Sequence, residues 1–486
     1  MWGGTPARNM VSDEKNLPVQ FDPGKVADDG AVDMKTTRGV KWVARLGGQS
    51  YGNVTVGRGR VLVGTNNDAP RDPRHTGDRG VVLCLDETTG KMLWQLVVPK
   101  LPAGRNNDYD GVGICSSPTI DGDRVYVISN RCEVLCLDLA GMANGNDGPF
   151  VDEARYMAPA GAPPVPPGPT DADIIWRFDM RDELGVYPHQ ASAGSVLVYG
   201  ERLYVSTCNG RNWTGRHIPA PDAPALICLD KRTGRLLGLE RSGISRRTFL
   251  CNWSSPALGI IGGRAQVIFG ADDGFCYGFD PDPVAEPDGA GVLRELWRFD
   301  CNPPHRRVRD GKPVKYDNPR GPSGILATPV VHDGRVYVAV GRNPEDGDGD
   351  GCASCIDAGG KTGDVTASAK AWMNAEIGRT LSTAAVADGL VYIADLAGFV
   401  YCLDAASGAV NWKHDTKSRI WGSPLVADGK VYIGDEEGVL TILAAGRALK
   451  VLSTAKFDGP VLSTAVAAGG VLYVATDRHL YAIDGR

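Results

Sequence analysis

The chain has no long apolar run. Nowhere do the roughly 18 consecutive apolar residues needed to span a bilayer occur, and the opening Met1-Trp-Gly-Gly-Thr-Pro has neither the basic nor the apolar region of a secretion signal. It has no basic excess either. With 52 Lys and Arg against 58 Asp and Glu, the formal charge of −6 lacks the footprint of a nucleic-acid or anionic-membrane binder. No H-E-x-x-H occurs, and the seven His show no paired ligand spacing. No C-x-x-C-H occurs, so no c-type haem is attached to carry electrons. What is plentiful is Gly, at 63 residues, with 32 Pro, which points to many turns and to β-structure rather than long helices.

The turns punctuate a repeat. Eight short β-branched runs recur: Val61-Leu-Val63, Val125-Tyr-Val127, Leu203-Tyr-Val205, Val267-Ile-Phe269, Val336-Tyr-Val338, Val391-Tyr-Ile393, Val431-Tyr-Ile433 and Leu472-Tyr-Val474. Most follow a small-residue signal such as Ser116-Ser-Pro118, Ser382-Thr-Ala384 or Ser463-Thr-Ala465, where strands crowd near an axis. After each run comes Cys-Leu-Asp or a variant. In two compact units Asp86/Gly90/Trp94 and Asp404/Gly408/Trp412 then spell a turn capped by Asp, relaxed by Gly and closed by a Trp strand. Four strands in about forty residues make a propeller blade, and eight units make an eight-bladed all-β propeller. The last unit lacks its Trp strand, whereas Val40-Lys-Trp-Val-Ala-Arg-Leu46 is a Trp strand without a unit, so the N-terminal strand is expected to complete the last blade. Residues 1–38 are read as an extension and 39–486 as the propeller, with blades near 48–98, 113–179, 189–242, 252–300, 324–377, 380–416, 420–458, and 461–486 plus 39–47.

These D-x-x-x-G-x-x-x-W units resemble the tryptophan-docking repeats of pyrroloquinoline-quinone (PQQ)-type propellers, the superfamily of quinoprotein alcohol dehydrogenases and the lipoprotein BamB, over residues 38–486. The opening MWGGTPARNMVS resembles secreted propellers common in planctomycetes. The resemblance implies an exported protein, periplasmic or secreted. Three departures stand out. Gly238 stands where Trp is expected, unit seven has lost its Asp-Gly turn, and insertions delay Trp176, Trp297 and Trp372, as if the regular blade were relaxed there. Quinoprotein dehydrogenases also carry adjacent cysteines, a metal held by Glu and Asn, and an Asp base. No Cys-Cys pair is present here, and the remaining set has no residue-by-residue counterpart.

Long loops between second and third strands and between blades collect on one face, over blades one to five. Tyr109, Asp110, Tyr187, His189, Gln190, Asn252, Trp253, Arg379, Arg419 and Trp421 precede inner strands there, joined by Asn209, Arg211, Asn212 and Trp213 from a loop. Aromatic walls with Arg, Asn and His suit a flat anionic or sugar-like ligand. His189 is the candidate general base. Asp346-Gly-Asp348-Gly-Asp350-Gly351 places hard oxygen ligands in a tight turn and is the candidate Ca²⁺ loop. Met142 to Asp173, rich in Pro and Ala, reads as a meandering loop on the opposite face. Five cysteines (Cys84, Cys136, Cys228, Cys355, Cys402) share one repeat position and read as small buried hydrophobes. The expectation is a non-catalytic binding scaffold whose funnel takes a protein, glycan or small molecule. The alternative is a divergent PQQ-dependent dehydrogenase, or a propeller lyase or hydrolase, using the same funnel.

Overall fold

The computed structural model describes residues 1–486 except 103–106, 288, 317, 319, 347, 348 and 486. Eight antiparallel sheets surround one axis. Blade 1 runs Thr55–Gly57, Arg60–Asn66, Arg79–Asp86 and Met92–Pro99 from the axis outward. The inner strands of blades 2 to 8 are Thr119–Asp121, Leu197–Tyr199, Ala257–Ile261, Val330–His332, Ala385–Ala387, Leu425–Ala427 and Val466–Ala468. Blade 8 is completed by Val40–Arg45, which pairs antiparallel with His479–Ile483 and sets Trp42 opposite Ala482. The ring therefore closes non-covalently and leaves no open sheet edge between its ends.

The repeated Val-Tyr-Val has a packing reason. Side chains alternate across a strand, so the flanking residues face the preceding blade and the Tyr faces the next. Val125 and Val127 pack in the core between blades 1 and 2, while Tyr126 packs between blades 2 and 3. Val391 and Ile393 likewise join blade 5, and Tyr392 joins blade 7. The core is thus eight clusters, one per blade interface. Each buried Val, Leu or Ile contributes on the order of 2 kcal/mol, and a blade in isolation would leave both faces wet.

The Asp-Gly-Trp spacing joins neighbours. Trp42 lies against Gly90 of blade 1, where an added Cβ would come within 2.6 Å of the indole, and its Nε1 donates to Glu87 O at 3.1 Å. Trp176 docks the same way on Gly234 with a bond to Lys231 O, and Trp372 on Gly408 with a bond to Ala405 O. Gly at these positions is required twice over, by the indole and by φ near +70°.

Where the pattern breaks, the insertions supply a substitute, which corrects the expectation of relaxed blades. At Gly238 a Cβ would strike Pro283, and Gly291–Leu293 from the blade 4 insertion pairs parallel with Leu236–Glu240 as a fifth strand. Gly363–Asp364 from blade 5 does the same beside Trp297 of blade 4. Blade 7 has no Trp on its outer strand, Val451–Lys456, and the N-terminal extension covers it: Ser453 Oγ bonds Val19 O, Tyr432 OH donates to Pro18 O at 3.0 Å, and Phe21 packs 6.0 Å from Phe457.

The same extension enters the axial channel. Pro6 O accepts from Leu258 N–H, Ala7 O from Val331 N–H, and Met10 O from Val426 N–H, while Asn9 exchanges two bonds with Val386. The segment thereby steps across blades 4, 5, 6 and 7, ending as Val11–Ser12 parallel to the blade 7 inner strand. Arg8, fully buried at φ +58°, points the other way and donates to Ser195 O and Val196 O of blade 3 and Pro256 O of blade 4.

Candidate functional site

The small-residue signals do more than allow crowding. The backbone N–H of Asn53 donates to Ser117 Oγ at 2.8 Å, and Ser117 N–H donates to Ser195 Oγ at 3.1 Å. The series continues through Ser255, Thr328, Thr383, Ser423 and Thr464, whose N–H returns to Asn53 Oδ1 at 2.7 Å. One hydrogen bond per blade closes a complete circle at the axis. A buried N–H left dry costs about 1–3 kcal/mol, so each hydroxyl has a structural reason to be Ser or Thr.

The circle fixes what faces the axis. Residues two positions before each member (Tyr51, Cys115, Ala193, Trp253, Leu326, Leu381, Trp421 and Leu462) form an apolar collar around a funnel of about 380 Å³. Trp2, delivered by the N-terminal segment, also lines this space, so the funnel is blind at its narrow end. Above the collar, Tyr109 and Asp110 from the link between blades 1 and 2, and Asn343 and Glu345 from the long blade 5 loop, complete the wall. Gln190, at φ +62°, holds this rim: Asn343 Nδ2 donates to its Oε1 at 3.3 Å and its Nε2 donates to Glu345 at 3.5 Å. A polar side chain kept in the left-handed region at a cleft is strain of the kind found at binding sites.

Electrostatics at the wall are those of neutral donors and two acids. Burial, reinforced by Cys115 and Glu345, pushes the Tyr51 hydroxyl up to about 12, which keeps it a proton donor. Trp253 Nε1 donates to Ala191 O at 3.1 Å, whereas the buried Nε1 atoms of Trp2 and Trp421 have no hydrogen-bond partner among the described residues. Burial pushes the Cys115 thiol up to about 12, which removes it as a nucleophile near neutral pH.

Of the residues singled out from sequence, the structure brings Tyr109, Asp110, Gln190, Trp253 and Trp421 into the wall. The rest stand elsewhere. Asn209 and Asn252 are fully buried and tie loops together: Asn209 Oδ1 accepts from Tyr187 N–H, and Asn252 Oδ1 accepts from Asp272 N–H. Arg211 donates to Thr248 O and Gly215 O. His189 is buried, with Nδ1 2.6 Å from Arg211 O. Trp213 is exposed on the loop, and Tyr187 and Arg379 are half-buried outside the wall. Arg419 is exposed, 4.0 Å from Glu436. Of the candidate Ca²⁺ loop, Asp348 and the Asp346 side chain lie outside the described residues, and Asp350 stands 3.9 Å from Arg306.

Sequence reasoning missed Tyr51, Trp2, Asn343 and Glu345. Tyr51 was findable, because it precedes Asn53 by the same two residues that separate Trp253 from Ser255 and Trp421 from Ser423. Trp2 was not, because the extension repeats nothing. Gly48-Gln49-Ser50-Tyr51-Gly52 fits the G-x-S-x-G spacing of a nucleophile elbow, yet it lies in a blade link rather than at a strand-to-helix turn. Ser50 is buried there with its hydroxyl donated to Gly64 O.

Eight docked blades around an axial funnel define the class of PQQ-like propellers. The chain belongs to the family described as outer membrane protein assembly factor BamB, whose profile matches residues 40–146 and 349–486, just over half of the chain. The structure resembles BamB from Moraxella catarrhalis (14% identity, TM-score 0.54, covering 91% of this chain and 98% of that one). It also resembles a quinohemoprotein alcohol dehydrogenase from Pseudomonas putida HK5 (12% identity, TM-score 0.60, covering 100% and 80%) and another from Comamonas testosteroni (12%, 0.50, 100% and 81%). At these identities the likeness is one of fold. No curated protein matches the sequence.

Proposed function

We propose that this propeller is an exported binding protein, not a catalyst, whose blind funnel captures a neutral ring-bearing ligand of the sugar type. The observation that carries the reading is the collar: three aromatic and five other apolar or thiol side chains around one small space, with Asn343, Gln190, Asp110 and Glu345 above them and no Arg or Lys among the described residues of the wall. Indole and phenol faces stack on the C–H faces of a ring, and a few amides and carboxylates orient its hydroxyls. That lining replaces the flat-anion expectation, because Arg379 and Arg419 stand outside it.

Quinone chemistry does not fit this wall. No adjacent cysteines exist in the chain, and among the described residues no group of three His, Cys, Asp or Glu side chains converges in the funnel to hold a metal. His189 is committed to the loop carbonyl. Export and a protein partner are supported by the family, described as outer membrane protein assembly factor BamB. No helix is long and apolar enough to cross a membrane. The test is tryptophan fluorescence during titration with neutral glycosides. Quenching that saturates, and that Trp253→Ala and Trp421→Ala each weaken tenfold or more, supports the reading. A partner protein that binds the double variant as well as wild type would move function off the funnel.

A further inference from the structure

The blade 2 insertion is built around carboxylates that the turn it replaces did not need. In regular blades the repeat Asp caps its own turn: Asp86 Oδ1 accepts from Thr88 N–H, Thr89 N–H and the Thr89 hydroxyl. In blade 2 the equivalent Asp138 is followed by the long insertion, and it meets Asp147 from within that insertion and Asp173 from its end. One oxygen from each lies within 4.8 Å of the others. Asp138 and Asp173 are buried, and Asp147 is exposed.

Asp173 is the independent pointer to a ligand. Its side chain is 0% exposed; Oδ2 accepts the Asp147 N–H at 2.9 Å, and Oδ1 has no hydrogen-bond partner among the described residues. A buried carboxylate oxygen without a donor costs more than a neutral one, and here it belongs to a carboxylate grouped with two others, so the cluster calls for a cation. Arg124 reaches the group only through Asp138 Oδ2, at 2.6 Å. The nearby Asp72, His75 and Asp171 give the contrast, because there the Arg74 guanidinium already sits on both carboxylates, at 2.5 Å and 3.2 Å.

We propose that Asp138, Asp147 and Asp173 form a Ca²⁺ site that fastens the blade 2 insertion to the propeller. All three donors are hard oxygens, the ligand set Ca²⁺ prefers, and the exposed Asp147 leaves an entry path and room for waters. The insertion is thus held in place at its start, middle and end rather than meandering. Its helix Glu153–Tyr156 lies between these points, with Glu153 Oε2 accepting from Asn146 and Oε1 from Ile174 N–H.

The experiment uses the full chain, stripped with a chelator and titrated with Ca²⁺ by calorimetry, beside limited proteolysis of residues 140–173. Expected are one saturable site and at least tenfold slower cleavage of the insertion with Ca²⁺. Asp173→Asn should abolish both effects, and Asp147→Asn, an exposed change that leaves the fold intact, should weaken binding at least tenfold. No heat and no protection in wild type would overturn the proposal. So would Ca²⁺ binding that Asp147→Asn and Asp173→Asn leave unchanged, which would place the ion elsewhere.

Discussion

Arg8→Ala tests how the funnel is closed. The guanidinium donates to Pro256 O at 3.1 Å, Trp2 O at 3.0 Å, Ser195 O at 3.3 Å and Val196 O at 3.0 Å, and no part of the residue is exposed. Truncation leaves the buried carbonyls of Ser195 and Pro256 and the partly buried carbonyl of Trp2 without a donor, whereas Val196 O keeps the Thr119 hydroxyl at 2.8 Å. At about 1 kcal/mol each, the low end for a polar group left dry, the loss is roughly 3 kcal/mol. Water entering the vacated polar space returns part of it, as does relief from burying a cation, which pulls the Arg8 pKa below its usual value. The net is about 2 kcal/mol against the docked segment, or about 30-fold in its local opening equilibrium. Limited proteolysis reads this directly, because cleavage follows the population of the open form when opening is fast. Cleavage within residues 1–20 should accelerate by tens of times in Arg8→Ala, with cleavage elsewhere unchanged. Arg8→Lys should fall between, since one ammonium cannot serve carbonyls of blades 3 and 4 together. A cleavage rate within twofold of wild type would refute the claim that Arg8 locks the segment.

Thr383→Ala removes one acceptor from the axial circle and strands the Thr328 N–H, which should cost about 1–3 kcal/mol in denaturant unfolding, whereas Thr416→Ala, on a loop, should cost under 1 kcal/mol. Trp42→Ala empties the seam between blades 8 and 1 and should destabilise by about 3–5 kcal/mol, while Gly90→Ala should weaken the same seam because its Cβ meets the indole at 2.6 Å in a left-handed backbone. Free thiols should titrate to all twelve cysteines after denaturation. In the native protein thiol labelling should be at least a hundredfold slower than for an exposed cysteine, since eleven are buried and burial pushes Cys115 up to about 12.

The architecture was readable because it repeats. A residue that must face the preceding blade in every unit leaves eight copies of itself, as Val125 and Val391 do, and Trp42 without a unit of its own announces the closing strand. The substitutes at the broken junctions were not readable, because Gly291–Leu293 and Pro18 to Phe21 each occur once and earn their place only from the neighbour they cover. The site divided along the same line. Trp253 and Trp421 stand at a repeated register and were found, and Tyr51 could have been. Glu345 and Trp2 reach the funnel from a loop and a terminal segment whose paths are set by tertiary contacts alone. Arg211, Asn209 and Asn252 read as ligand-binding groups because polar residues near an axis look alike in sequence. Their hydrogen bonds go to backbone instead.

The most direct test of the account is calorimetric titration of the full chain with PQQ, with and without Ca²⁺, beside a panel of neutral glycosides. The account predicts no PQQ binding in either condition and saturable glycoside binding that is lost in the Trp253→Ala, Trp421→Ala double variant. Micromolar, Ca²⁺-dependent PQQ binding that the same double variant abolishes would contradict it and make the funnel a cofactor site.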